Sequence, residues 1–244
     1  MMATLGCMRA YLTRVMFAVL LGGIALGGAV LLEAGSTWAG DTTSQVKPET
    51  STTKKPVPNA TYDESQPGAD DPRVKEGFAV YKAGDFKKAY DIWLPLAEAG
   101  NAEAQFRVGR LYSFGEGRGA NFEEAIKWYE SAAVLGHTIA MHNLAYILKI
   151  GRKAPQNIPK AIKYYTLAAE SGYVVSQFGL GITFATVESP YRDFGAAYKW
   201  LYISMKNGHG EAMDTIRDLN RFASAEDRNA GVERMREWFK SHPR

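Results

Sequence analysis

Residues 102–137 read AEAQFRVGRLYSFGEGRGANFEEAIKWYESAAVLGH, and the next two stretches of equal length align on them without a gap. They are TIAMHNLAYILKIGRKAPQNIPKAIKYYTLAAESGY over 138–173 and VVSQFGLGITFATVESPYRDFGAAYKWLYISMKNGH over 174–209. A fixed period of 36 residues marks a repeat architecture rather than one globular core. Apolar columns coincide at Val108, Leu144 and Leu180, and small ones at Ala125, Ala161 and Ala197. Bulky aromatics recur at Trp128, Tyr164 and Trp200, where they fill the space between units. A half-unit precedes them, with Phe86, Ala89, Trp93, Ala97 and Gly100 in register with Phe122, Ala125, Tyr129, Ala133 and Gly136.

Each unit holds two helical patterns. Apolar residues fall three and four apart at Ala104, Val108, Leu111 and Tyr112, and again at Ile126, Tyr129, Ala132 and Ala133. Asp85, Asn121, Asn157 and Asp193 occupy one column before the second helix, where a side-chain oxygen can accept from an unpaired helix N–H. Gly100, Gly136, Gly172 and Gly208 occupy the column where that helix must end. A single hairpin cannot bury its own apolar face, but a stack of them can. The fold class is therefore all-α, an α-α superhelix (solenoid) of stacked hairpins. Its body is 72–244, with an N-cap over 72–101, repeats at 102–137, 138–173 and 174–209, and a C-cap over 210–244. The C-cap is predicted as two helices, about 211–222 and 225–240, the second capped by Ser224.

Upstream of the repeats the chain changes character. Arg9 and Arg14 precede eighteen uncharged residues, Val15 to Leu32, in the pattern of an export signal. Residues 1–39 are read as a signal peptide cleaved after Ala39. The alternative is a retained inner-membrane anchor, since the apolar run approaches a membrane span and Gly23 and Gly27 form a helix-packing spacing. Either way the repeat domain is translocated, and a periplasmic or secreted location is expected. Residues 40–71 are rich in Thr, Ser, Pro, Lys and Asp and nearly lack aliphatics, so they are expected to form a disordered linker. Asn59-Ala60-Thr61 fits a glycosylation sequon, a match that arises often by chance.

Bulk composition excludes several classes. A net charge of +3 over 244 residues is too balanced for a dedicated nucleic-acid protein. The one cysteine, Cys7, excludes an internal disulfide framework and a cysteine-rich metal site. It also precedes the apolar run, whereas an acylated cysteine should follow it.

The pattern A-x-A-Q-x-x-x-G-x-x-Y, a Gly-rich loop, then E-x-A-x-x-W-Y-x-x-A-A-x-x-G-H resembles the Sel-1-like repeat, a relative of the tetratricopeptide repeat. Ala102, Ala104, Gln105, Gly109, Tyr112, Gly115, Gly117, Ala125, Trp128, Tyr129, Ala132, Ala133, Gly136 and His137 carry the match. The later units depart from it: Ala145 replaces the helix glycine, and Lys153-Ala154-Pro155 and Val187-Glu188-Ser189-Pro190 replace the loop glycines.

No catalytic constellation emerges. His137 and His209 share a structural column, and His137 and His142 are five apart, not the four of a helical metal pair. Gly115 to Gly119 lacks the Gly-Lys-Ser/Thr ending of a phosphate loop and reads as an inter-helix turn. Glu123 and Glu124 follow Asn121 and complement a helix dipole. No enzyme activity, cofactor or metal is expected. The resemblance implies that the first helix of each unit lines a concave face. There Phe106, Arg110, Phe114, His142, Tyr146, Lys149, Phe178 and Ile182 would form a protein-binding groove, turning acidic through Glu211, Asp214 and Asp218. Packing between units is the competing role for Phe178 and Ile182. The expected function is a non-enzymatic exported scaffold or adaptor, with an envelope regulator as one form of it. Its partner would be an envelope or secreted protein, with no nucleic acid and membrane contact only through an uncleaved N-terminal segment. The alternatives are a non-catalytic carbohydrate or cell-wall binder and, by resemblance to cysteine-rich family members, a β-lactam-binding hydrolase, against which the missing disulfides and nucleophile argue.

Overall fold

The computed structural model describes residues 63–151, 154–188 and 190–243, which contain ten α-helices and no strand. These are α1 (Pro72–Lys82), α2 (Phe86–Glu98), α3 (Ala102–Phe114), α4 (Phe122–Val134), α5 (Thr138–Ile150), α6 (Ile158–Glu170), α7 (Val174–Thr186), α8 (Phe194–Lys206), α9 (Ala212–Leu219) and α10 (Ala225–Ser241). The expected signal or anchor at 1–39 and the linker up to residue 62 lie outside the described residues.

The columns read from the repeat do the work assigned to them. Asp85, Asn121, Asn157 and Asp193 each accept from the backbone N–H three residues on, at 3.2, 3.1, 3.0 and 2.9 Å. Gly100, Gly136, Gly172 and Gly208 all have φ between +86° and +93°, closing the second helix of each hairpin. Helices pack on their sequence neighbours from α1 to α9, so the array grows by one hairpin at a time. Ser224 caps α10 in a reciprocal box with Asp227. This last helix returns onto α8, where Gly231 comes so close that an added Cβ would stand 2.8 Å from the Gly195 carbonyl.

Within each hairpin a small residue on the first helix faces a large one on the second. Gly77, Gly109, Ala145 and Gly181 pair with Trp93, Tyr129, Tyr165 and Leu201, all of which are buried. A Cβ on Gly77 would lie 2.3 Å from Trp93 Nε1, and one on Gly109 would lie 2.9 Å from the Tyr129 ring. Burying large apolar side chains of this kind contributes about 1.5–3 kcal/mol each. The predicted aromatic column bridges units: Trp128 packs against the cluster of α1 to α3, and Tyr164 touches the clusters on either side of it. A polar clamp adds to this. Gln105 Nε2 donates to the Ala97 carbonyl at 3.0 Å, and Gln177 Nε2 to the Ala169 carbonyl at 3.1 Å. Asn207 Nδ2 satisfies Gln177 Oε1 at 2.8 Å, but the register position in the first unit is Leu135, and Gln105 Oε1 has no partner among the described residues.

The linker expected over 40–71 meets the folded body earlier than its composition implied. From Gln66 onward it is hydrogen-bonded to the solenoid. Asn101 Nδ2 donates to the Gly68 carbonyl at 3.0 Å, Glu103 N to the Pro67 carbonyl at 3.0 Å, and Thr138 N to Gln66 Oε1 at 3.0 Å. Ala69 is fully buried. Backbone carbonyls and one side-chain amide make these contacts, so no hydrophobic pattern announces them.

Candidate functional site

The eight residues expected to line one groove divide into two sets. Phe106, Phe178 and Ile182 are 4, 7 and 8% exposed and belong to the core. The reason is a ring ladder that the groove assignment did not foresee. Phe106 stacks on His137 with centroids 4.5 Å apart, and Phe178 stacks on His209 at 4.0 Å. In the middle unit the chemistry is exchanged: His142 meets the edge of Tyr173 at 5.4 Å. His142 Nδ1 also pairs with Ser176 Oγ at 2.9 Å, and burial pulls its imidazole down to about 4. Phe106, His142, Phe178 and Ile182 are therefore packing residues, which corrects their assignment to the groove.

Arg110, Phe114, Tyr146 and Lys149 remain on the outward side of α3 and α5. The Arg110 guanidinium carbon lies 5.2 Å from the Tyr81 ring and 5.5 Å from that of Phe114. Phe114 is 66% exposed and Tyr146 38%. Lys149 is half-buried, no carboxylate lies within ion-pair distance of it among the described residues, and desolvation lowers its ammonium to about 8. Two aromatics and two cations thus share neighbouring first helices. The expected acidic extension is neutralised on its own helix and the turn after it: Asp214 pairs with Arg217 at 2.7 Å and Asp218 with Arg221 at 3.4 Å.

The Gly-rich loop after α3 is fastened to the preceding hairpin. Tyr81 donates to Glu116 at 2.8 Å, Arg118 donates to Tyr112 at 2.9 Å, and the Arg118 guanidinium carbon sits 3.2 Å above the Tyr90 ring. A Cβ on Gly117 would be 2.8 Å from Phe86 Cβ. The loop is a packed connector between α3 and α4. No group of three His, Cys, Asp or Glu among the described residues is placed to hold a metal ion.

One polar cluster escaped sequence reasoning. Glu103, Arg107 and His137 are 1, 2 and 0% exposed. Glu103 Oε1 accepts from Arg107 Nε at 2.6 Å and Oε2 pairs with His137 Nε2 at 2.7 Å. His137 Nδ1 accepts from Ala140 N at 3.1 Å, capping α5 and fixing the proton on Nε2. The spacing of Glu103 and Arg107 resembles an ordinary surface pair on a helix, and only the histidine 34 residues later hints otherwise.

The Sel1 repeat model matches 102–137 and 138–173, the same boundaries as the first two units. Residues 102–173 are Sel1 repeats. Among solved structures, the chain is similar to c5321, a protective antigen present in uropathogenic Escherichia coli strains displaying an SLR fold. That likeness has 21% identity and a TM-score of 0.57, covering 69% of this chain and 38% of the other, so the chain spans well under half of that relative. A Sel1 repeat protein from Oxalobacter formigenes is similar at 28% identity and a TM-score of 0.45, over 52% of this chain and 95% of that one. No curated protein matches the chain. The first of these likenesses speaks to fold alone.

Proposed function

We propose that this protein is a non-enzymatic, exported scaffold that binds a protein segment across the first helices of two adjacent Sel1 units. A Sel1-repeat scaffold is consistent with a protein-binding adaptor. The observation that carries the finer reading is the quartet of Arg110, Phe114, Tyr146 and Lys149. Its half-buried ammonium has no carboxylate at ion-pair distance among the described residues, and its aromatic rings are left open. A segment presenting an acidic side chain beside an apolar one would pair the ammonium and cover Phe114. Export is supported by Arg9 and Arg14 before the uncharged run from Val15 to Leu32. The partner is then an envelope protein, and regulation of an envelope complex or sensor is the role proposed.

Crosslinking in cells, followed by capture from envelope extract, tests this with Arg110→Glu and Lys149→Glu. A stoichiometric protein should be recovered with the wild type and lost with both variants at unchanged helical content. Equal recovery from all three chains, or retention on polysaccharide alone, overturns the reading.

A further inference from the structure

The segment Asp63 to Asp70 makes sequence-specific contacts that a mere tether does not need. Gln66 spends both ends of its amide: Oε1 accepts from Thr138 N at 3.0 Å and Nε2 donates to Asp63 Oδ2 at 2.9 Å. Ser65 N and Oγ bond Asp63 Oδ1 at 3.0 and 2.6 Å, holding that carboxyl below its ordinary range. Gly68 has φ +84°, and a Cβ there would stand 2.7 Å from Asn101 Oδ1. Asn101 serves twice, capping α3 through Ala104 N at 2.9 Å and gripping the Gly68 carbonyl. Ala69 has no exposed surface.

The segment spans two units. Pro67 and Gly68 sit at the start of α3, and Gln66 sits at the start of α5, so residue numbers fall as the strap advances along the array. Beneath it lies the buried cluster of Glu103, Arg107 and His137: the backbone N–H of Glu103 donates to the strap's Pro67 carbonyl, and Thr138, next to His137, donates to Gln66 Oε1. A charged cluster is left buried only where something covers it. The cover here is eight residues long, is joined to the body by three hydrogen bonds, an exposed ion pair of Glu64 with Lys75 at 3.1 Å and one small buried side chain, and lies at the end of a polar segment. Such attachments open locally, well below the free energy of global unfolding.

We infer that residues 63–70 are a releasable latch. They occupy in cis a peptide-docking edge formed by the starts of α3 and α5, and lifting them uncovers Glu103 and His137 while the solenoid stays folded. The occupant that competes for this edge is an extended segment of the same pattern. It offers a side-chain amide to Thr138 N, a carbonyl to Glu103 N, a glycine in the left-handed region and a small residue to bury. This edge is separate from the Arg110 and Lys149 surface, so the two proposals stand or fall independently.

Gly68→Val in the full chain tests the latch, because valine is strained at that φ and would meet Asn101. Amide exchange followed residue by residue should accelerate about tenfold or more at Glu103 and Thr138. His137 should become reactive to diethyl pyrocarbonate, with far-UV circular dichroism and the urea midpoint of the repeats retained. The free peptide Asp-Glu-Ser-Gln-Pro-Gly-Ala-Asp-Asp, acetylated and amidated, should then restore protection of both amides in the variant. Uniform loss of protection through α3 to α6, or failure to fold, would show the strap to be integral core and overturn the latch. Local opening that the peptide cannot reverse overturns the docking edge. Gln66→Ala gives a milder check, with faster exchange confined to Thr138, and no change there counts against the proposal.

Discussion

Replacing Lys149 by methionine should make the protein more stable at neutral pH, and the reason is the burial of its ammonium. Desolvation lowers that group from 10.5 to about 8. Below pH 8 both folded and unfolded chains hold the proton, so the folded chain bears the full penalty of a poorly hydrated charge. Between 8 and 10.5 the folded chain releases the proton while the unfolded chain keeps it. Wild-type stability therefore gains from this residue as pH rises through that window. A complete transfer would correspond to about 3 kcal/mol at about 1.4 kcal/mol per pH unit. Lys149 retains some contact with solvent, and screening reduces the expected gain to about 2 kcal/mol. Methionine keeps a similar length and removes the charge. Urea denaturation of both chains at pH 7 and pH 10 measures the difference directly. The variant should be more stable at pH 7, and the gap should nearly close at pH 10. No advantage at pH 7, or an equal gap at both values, refutes the reasoning. The same exchange should weaken partner capture, since a penalty in the free protein is what an acidic partner would relieve.

Other outcomes follow from single contacts. His142, held at about 4 by burial, should make the wild type lose stability as pH falls from 6.5 toward 4. His142→Phe, which installs the residue found at positions 106 and 178, should flatten that acid limb in near-UV circular dichroism, and an unchanged limb would assign it to another group. Leu135→Asn should supply Gln105 Oε1 with the donor that Asn207 gives Gln177, raising stability by about 1 kcal/mol in urea melts. An unaltered midpoint would mean the oxygen is satisfied another way. Gly77→Ala should destabilise by about 1–3 kcal/mol through the clash with Trp93, despite the roughly 1 kcal/mol that alanine gains in a helix. It should also red-shift tryptophan emission, and a stabilised variant with unshifted emission would contradict the packing described.

Much of the architecture was legible because it is local and periodic. Asp85, Asn121, Asn157 and Asp193 read as caps from a single column, and each makes the bond expected of it. The groove was half legible. Arg110 and Tyr146 share one register position and both keep an outward face, but Phe106, His142 and Phe178 were assigned to that face by analogy. What turns them inward is a ring about thirty residues later, His137, Tyr173 or His209, and a helical wheel carries no trace of that partner. Residues 63–71 were misjudged for a different reason. Composition measures the apolar surface a segment can bury, whereas this one is held by carbonyls, an amide and a glycine turn.

The ring ladder also says where this array can be cut. Phe106 and His137 lie in the same 36-residue frame, as do His142 with Tyr173 and Phe178 with His209. Each frame therefore travels with both halves of its own lock. What residues 102–137 take from the chain before them is partly main chain, the Ala97 carbonyl for Gln105 and the Pro67 carbonyl for Glu103, and partly side chain, Tyr81 for Glu116 and the Tyr90 ring for Arg118. A second copy of 102–137 inserted after His137 would thus arrive with its ring lock complete, but its Arg118 would meet Ile126 in the register position of Tyr90. Lengthening the solenoid by one unit therefore needs a duplication at that boundary together with an aromatic at position 126 to receive the copied Arg118.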